Sequence, residues 1–354
     1  ALMGAQRLAV AGGINIAMVT LANVGAVAVL AFLSPTVEAF FIWQAMVGVL
    51  YAVLMRRAAW AVIGQDKLVK FNKGVLKSVW RFSAGMSVVA LSGVIFTQMD
   101  KIILSKLLGL AEYGQYMLAT LLVSGLYVLV TPFFNAVYPK FSAFVAKGET
   151  SQLSLFYRLC TQLLAVVLFP LSMFLVLFSR ELVTVWTGNA ALGSALMPVV
   201  SLMVVGSALH GIMYMPYALQ LAYGKTSLPI YITFVLIVVM VPLIIFLSLT
   251  RGPIGAAMAW LVLHVVYLII GTCVTHTYLL RGLGCRWIFQ DVGIPLMLTV
   301  LVGLGGYLGL QEIDMSIFTK LSYGVGVSIF AGVVAMVFSP ILRLAILKRF
   351  GFAD

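Results

Sequence analysis

The chain has 354 residues, of which 63% are hydrophobic and 9% charged, with a mean hydropathy of +1.14. A water-soluble globule carries about a quarter of its residues charged, so these values exclude one and define a polytopic membrane protein. The formal net charge of +12 raises nucleic-acid binding as a question, which the placement of the cations answers below.

Counted in apolar runs of about 20 residues, the sequence offers about ten spans: 8–33, 36–55, 82–104, 112–137, 157–178, 194–219, 227–249, 254–279, 291–310 and 317–338. The runs are continuously apolar rather than alternating, which predicts helices and not a barrel. The fold class is therefore all-α, a transmembrane helix bundle. The first two spans form a hairpin turning at Ser34-Pro35, and residues 56–77 form the longest polar connection. Pro132 and Pro139 bracket the end of the fourth span and predict a bend there. A turn at 250–253 separates the seventh and eighth spans, and a basic connection precedes the last two.

Taking connections alternately, 17 of the 22 basic residues fall on one side: Arg7, Arg56, Arg57, Lys67, Lys70, Lys73, Lys77, Arg81, Lys140, Lys147, Arg158, Lys225, Arg281, Arg286, Arg343, Lys348 and Arg349. The positive-inside rule makes that side cytoplasmic, with both chain ends inside. The basic excess is a topology signal with some attraction to anionic lipid, and no nucleic-acid partner is expected. Cys160 and Cys273 fall inside spans and Cys285 in a connection, with no metal-ligand spacing. No metal and no cofactor are expected.

The third span carries Thr97, Gln98, Asp100 and Lys101 in its distal third. Charge in a span is costly, and where it occurs it commonly faces a bundle interior or a watery cavity on a transport pathway. At helical spacing Asp100, Thr97, Gly93, Ala90 and Met86 share one face, whose polar and small residues suit a cavity or a close helix contact. Lys101 shares a neighbouring stripe with Gln98 and need not pair with Asp100. Two readings stand for the charges: cavity lining, or anchoring near the outer interface by snorkelling.

His210, with Tyr214, Pro216, Tyr217 and Gln220, marks a span that Pro216 kinks, either lining a cavity or packing. His264 and His276 are weaker candidates. Arg158, at the cytoplasmic start of the fifth span, suits a diphosphate or ordinary positive-inside anchoring. Gln44, Asn15, Asn135 and Gln162 suit sugar hydroxyls or interhelical hydrogen bonds equally. Trp60, Trp80, Trp186 and Trp287 read as interfacial belts. Phosphate-binding glycine loops, HExxH and GxSxG are missing from the sequence, and the outward connections are short, which favours a transporter over a membrane polymerase or ligase.

The segment RFSAGMSVVALSGVIFTQMDKIILSKLLGLAEYGQYMLAT, followed by TPFFNAVYPKFS, resembles the polysaccharide and oligosaccharide flippases of the multidrug/oligosaccharidyl-lipid/polysaccharide exporter superfamily, the group containing the O-antigen flippases. The acidic-basic pair before Ile-Leu-Ser and the Tyr-Pro-Lys ending the next span carry the likeness, which extends over essentially the whole chain. It implies two six-helix lobes around a central cavity, often with two further helices. On that template residues 1–56 are the last two helices of an N-terminal lobe, 57–80 a basic cytoplasmic linker, 81–281 a six-helix C-terminal lobe, and 282–354 two extra helices and a tail.

About four helices would then precede Ala1, an expectation that fits a chain entering a span almost at once. The implied activity is movement of an undecaprenyl-pyrophosphate-linked oligosaccharide across the bacterial inner membrane by alternating access. A polysaccharide polymerase is the partner in prospect. Alternatives are a multidrug or lipid II exporter of the same superfamily, and a membrane polysaccharide polymerase or ligase.

Overall fold

The computed structural model describes residues 8–63, 73–310 and 315–349. Every regular element among them is helical, as hydrocarbon demands of backbone polar groups that must bond within their own segment. In chain order these are α1 (Leu8–Phe32), α2 (Val37–Ile63), α3 (Lys73–Leu107), α4 (Leu110–Ser124), α5 (Tyr127–Lys147), α6 (Thr150–Leu177), α7 (Ser179–Thr187), α8 (Ala190–Ala222), α9 (Ser227–Leu279), α10 (Gly284–Arg286), a π-helical stretch Trp287–Gly293, α11 (Ile294–Leu310), α12 (Ile317–Phe338) and α13 (Pro340–Arg349). Among the described residues nine helical segments are long and apolar enough to cross a membrane. Since α9 supplies two crossings, the ten expected spans each have a counterpart.

The chain forms two compact units, Ala1–Leu76 and Lys77–Asp354. In the first, α1 and α2 pack as a hairpin. The Trp43 indole donates to the Ala22 carbonyl at 3.2 Å, Gln44 donates to the same carbonyl at 3.2 Å, and Tyr51 donates to Asn15 at 3.4 Å. Gln44 and Asn15 are thus engaged in bonds between these helices. The segment expected as a linker at 57–80 is largely helical where it is described, because α2 runs on to Ile63 and α3 starts at Lys73; Lys67 and Lys70 lie outside the described residues, as does Arg7.

In the second unit α8 is the central helix, packed against α4, α5, α6, α7 and α9. Its sequence is apolar on nearly every face, as a helix surrounded by others must be, and it buries residues from Gly193 to Leu221. Helix α6 has the same character on two sides, since it also carries α11 and α12. The fourth crossing is assembled from two helices rather than one. At the junction the N–H groups of Gly125 and Leu126 bond three residues back, to Leu122 and Val123, a tightened turn of 3₁₀ type that re-aims the chain.

Helix α9 reverses at Gly252, which has φ 56° and ψ −138°. In a straight helix residues 247 and 255 would lie about 12 Å apart, yet a Cβ placed on Gly255 would run into the Leu247 carbonyl. The two limbs therefore fold back on each other, and Pro253 begins the second limb at a position where its missing N–H costs nothing. Gly252→Ala is expected to destabilise by about 1–3 kcal/mol, because that backbone region is essentially closed to residues with a Cβ. Thermal unfolding of the purified protein in detergent checks this; an unshifted midpoint contradicts it.

Candidate functional site

Two adjoining cavities open in the second unit, of about 380 and 330 Å³, sharing Thr97, His210 and Tyr214. The larger collects most of the residues singled out in the sequence: Thr97, Gln98, Asp100, Lys101 and His210 all line it, with Thr120, Tyr127, Ser207 and Trp260. Asp100 is 1% exposed and accepts a hydrogen bond from the Tyr116 hydroxyl at 2.8 Å. Lys101 folds back one turn, its ammonium 2.7 Å from the Thr97 carbonyl and 3.3 Å from Asp100 Oδ1. Helical spacing left pairing of the two charges open, and in the structure they do pair. Adjacent residues diverge by about 100° around the helix, but the long lysine stem closes that gap over a buried carboxylate.

The smaller cavity lies between α3, α8 and both limbs of α9, lined by Ala90, Gly93, Thr97, Tyr214, Tyr217, Thr233 and Tyr267 among others. His210 stands at the partition, its Nδ1 2.7 Å from the Tyr127 hydroxyl. His264 lies beside it, the two rings tilted at 52° with centroids 4.8 Å apart. Its Nδ1 donates to the Trp260 carbonyl at 2.8 Å, which leaves Nε2 the bare acceptor, buried and without a partner among the described residues. Trp260 in turn donates to Ser207 at 3.1 Å. Tyr116, Tyr127 and Tyr267 were not legible as site residues. His210, with Tyr214 and Tyr217, was, as part of the polar stretch on the span that Pro216 kinks.

Arg158 lies apart from these cavities. Its guanidinium takes Asp291 in a two-pronged grip, 2.7 Å from Nε to Oδ2 and 3.1 Å from Nη2 to Oδ1, and also reaches Gln290 at 3.0 Å. Gln162 donates to Asp291 at 2.6 Å, while its carbonyl oxygen accepts the first free N–H groups of α13, from Ile341 at 3.1 Å and Leu342 at 2.9 Å. Trp287 is fully buried and donates to Thr161 at 3.0 Å. This corrects its reading as an interfacial residue, whereas Trp60, Trp80 and Trp186 are exposed. Polar contacts here tie α6 to the π-helical stretch and to α13. No group of three or more metal-ligating side chains occurs among the described residues.

The chain is thus a helical, multi-pass membrane protein with the Asp100–Lys101 pair beside twin cavities. Residues 13–196 match the family described as polysaccharide biosynthesis protein, and the chain belongs to that family. Its fold is similar to that of the lipid II flippase MurJ in an inward closed conformation, with a TM-score of 0.64 at 13% identity, over 90% of this chain and 66% of that one. The chain thus spans slightly under two thirds of that flippase. No curated protein sequence matches it.

Proposed function

We propose that the chain is part of a transporter that flips an undecaprenyl-pyrophosphate-linked oligosaccharide, a polysaccharide or O-antigen repeat unit, across the bacterial inner membrane by alternating access. The observation that carries this reading is the cluster of Thr97, Gln98, Asp100, Lys101 and His210 on one cavity within a membrane bundle of flippase-like fold. No bond is made or broken, so the protein is read as a transporter and not an enzyme. Its task is to shelter sugar and diphosphate while the lipid tail stays in hydrocarbon, with two lobes rocking around the site.

On the positive-inside distribution, both ends of the chain are assigned to the cytoplasm. The partners of this reading are the bilayer, the lipid-linked glycan and the polymerase machinery that consumes the flipped unit. Arg158 is assigned a structural role in place of a diphosphate contact, because Asp291 already occupies its fork. The second reading, a lipid II exporter, is favoured by the fold likeness, while the family match favours a polysaccharide repeat unit.

The test is reconstitution of the protein in liposomes holding undecaprenyl-pyrophosphate-linked oligosaccharide, following exposure of the sugar to an impermeant glycosidase. Faster exposure than in protein-free liposomes is expected. Rates equal to the protein-free control overturn transport, and a clear preference for lipid II transfers the assignment to the second reading.

A further inference from the structure

The smaller cavity differs in character from its neighbour. No charged side chain lines it, whereas the adjoining cavity holds Asp100 and Lys101. Apart from the His210 imidazole, its polar side-chain groups are hydroxyls. Those of Tyr214, Tyr217 and Tyr267 make no hydrogen bond among the described residues; the Tyr214 and Tyr217 rings lie 6.4 Å apart and the Tyr267 ring 6.0 Å from that of His210. Thr233, on the first limb of α9, adds another free hydroxyl. Phe96 and the His210 ring complete an aromatic wall on one side. On α3, Ala90, Gly93 and Thr97 also line the space, and a Cβ at Gly93 would meet nothing within 4 Å.

The three tyrosines are half-exposed and their phenols open onto this space, so together they offer donors and acceptors to a ligand that supplies hydroxyls. An ionic ligand would find no counter-charge there. A hydroxyl-bearing ring with an apolar C–H face satisfies both surfaces, laying its C–H groups on the aromatic side and its hydroxyls toward the phenols. At about 330 Å³ the cavity is at the small end of the roughly 300–1,000 Å³ range of ligand sites, which fits one ring and not a whole oligosaccharide.

We infer that the cavity between α3, α8 and α9 is a subsite for a single neutral pyranose ring, gripped by Tyr214, Tyr217 and Tyr267. This rests on the transport reading for its biological purpose and divides the work between the two cavities: the ring is recognised in the uncharged one, and the charged neighbour faces the rest of the headgroup. Recognition of a bare ring is independent of flipping and is measured separately.

The experiment uses the purified protein in detergent with N-acetylglucosamine and methyl glucoside as soluble probes, read by saturation-transfer NMR, with cyclohexanol as an apolar control. Transfer is expected to the C–H protons of at least one pyranose and not to cyclohexanol. Gly93→Leu, which fills the space from the open α3 wall, is expected to abolish it. The triple variant Tyr214→Phe/Tyr217→Phe/Tyr267→Phe keeps every ring and is expected to weaken binding about tenfold or more through lost hydroxyls.

Failure of both sugars to bind the wild type overturns the subsite, as does equal binding of cyclohexanol. Unchanged sugar binding in the triple variant, or in a Gly93→Leu protein with a wild-type melting midpoint, overturns it too. Flipping of lipid-linked oligosaccharide by the same preparations separates the two failures. Flipping without pyranose binding sinks the subsite alone, and pyranose binding without flipping sinks the transport reading alone.

Discussion

Arg158→Ala is expected to cost about 3–5 kcal/mol of stability, the penalty for stranding a buried charge, and to cost more than Asp291→Ala. The asymmetry follows from exposure. Asp291 is 0% exposed and Arg158 23% exposed. Without Arg158, the carboxylate keeps only Gln162 as a charge-quenching partner in a site closed to water. Without Asp291, the guanidinium can turn toward solvent and retain Gln290. Replacing both by leucine is expected to recover most of the loss, because a well-packed apolar pair avoids desolvating two charges. Thermal midpoints of the purified variants decide it. Equal losses in the two single variants would show that the pair is more open than its geometry states.

Asp100→Asn is expected to lower the rate of lipid-linked oligosaccharide flipping by about tenfold or more, on a charge-assisted bond worth about 1.5–3 kcal/mol at about 1.4 kcal/mol per factor of ten. Asparagine preserves the shape and can still accept from Tyr116, so packing is retained. What changes is charge: Lys101 loses its counter-ion beside the cavity. Lys101→Gln is expected to act in the same direction, and the double variant Asp100→Asn/Lys101→Gln to be less impaired than the sum of the two. Flipping rates in liposomes at matched protein density measure all three. Wild-type rates in both single variants would remove the pair from the transport cycle.

The crossings were legible because hydrocarbon imposes one simple rule on composition, and the turn at 250–253 announced itself through Gly252 and Pro253. Thr97, Asp100 and Lys101 stood out for the same reason, as polar groups where apolar ones belong. Their partners did not. Tyr116 lies on the next helix with nothing in its spacing to point at Asp100, and a tyrosine in a membrane span fits many environments. The Arg158 cluster was less accessible still. Asp291, Gln162, Thr161 and Trp287 meet across more than a hundred residues of sequence, and the π-helical stretch that turns Asp291 inward has no sequence period of its own. Local rules set where helices run; the pairing of distant polar groups is decided by packing among helices.

Position 162 illustrates how narrow such a choice becomes. The side chain there must donate a hydrogen bond to a carboxylate through its NH2 and accept two from backbone N–H groups at the start of α13 through its carbonyl oxygen. A carboxylate of equal length would accept at both arms and repel Asp291, an aliphatic chain would do neither, and asparagine falls one carbon short. The amide is an adaptor between two groups that could not satisfy each other, and it couples the start of α13 to the buried Arg158–Asp291 pair.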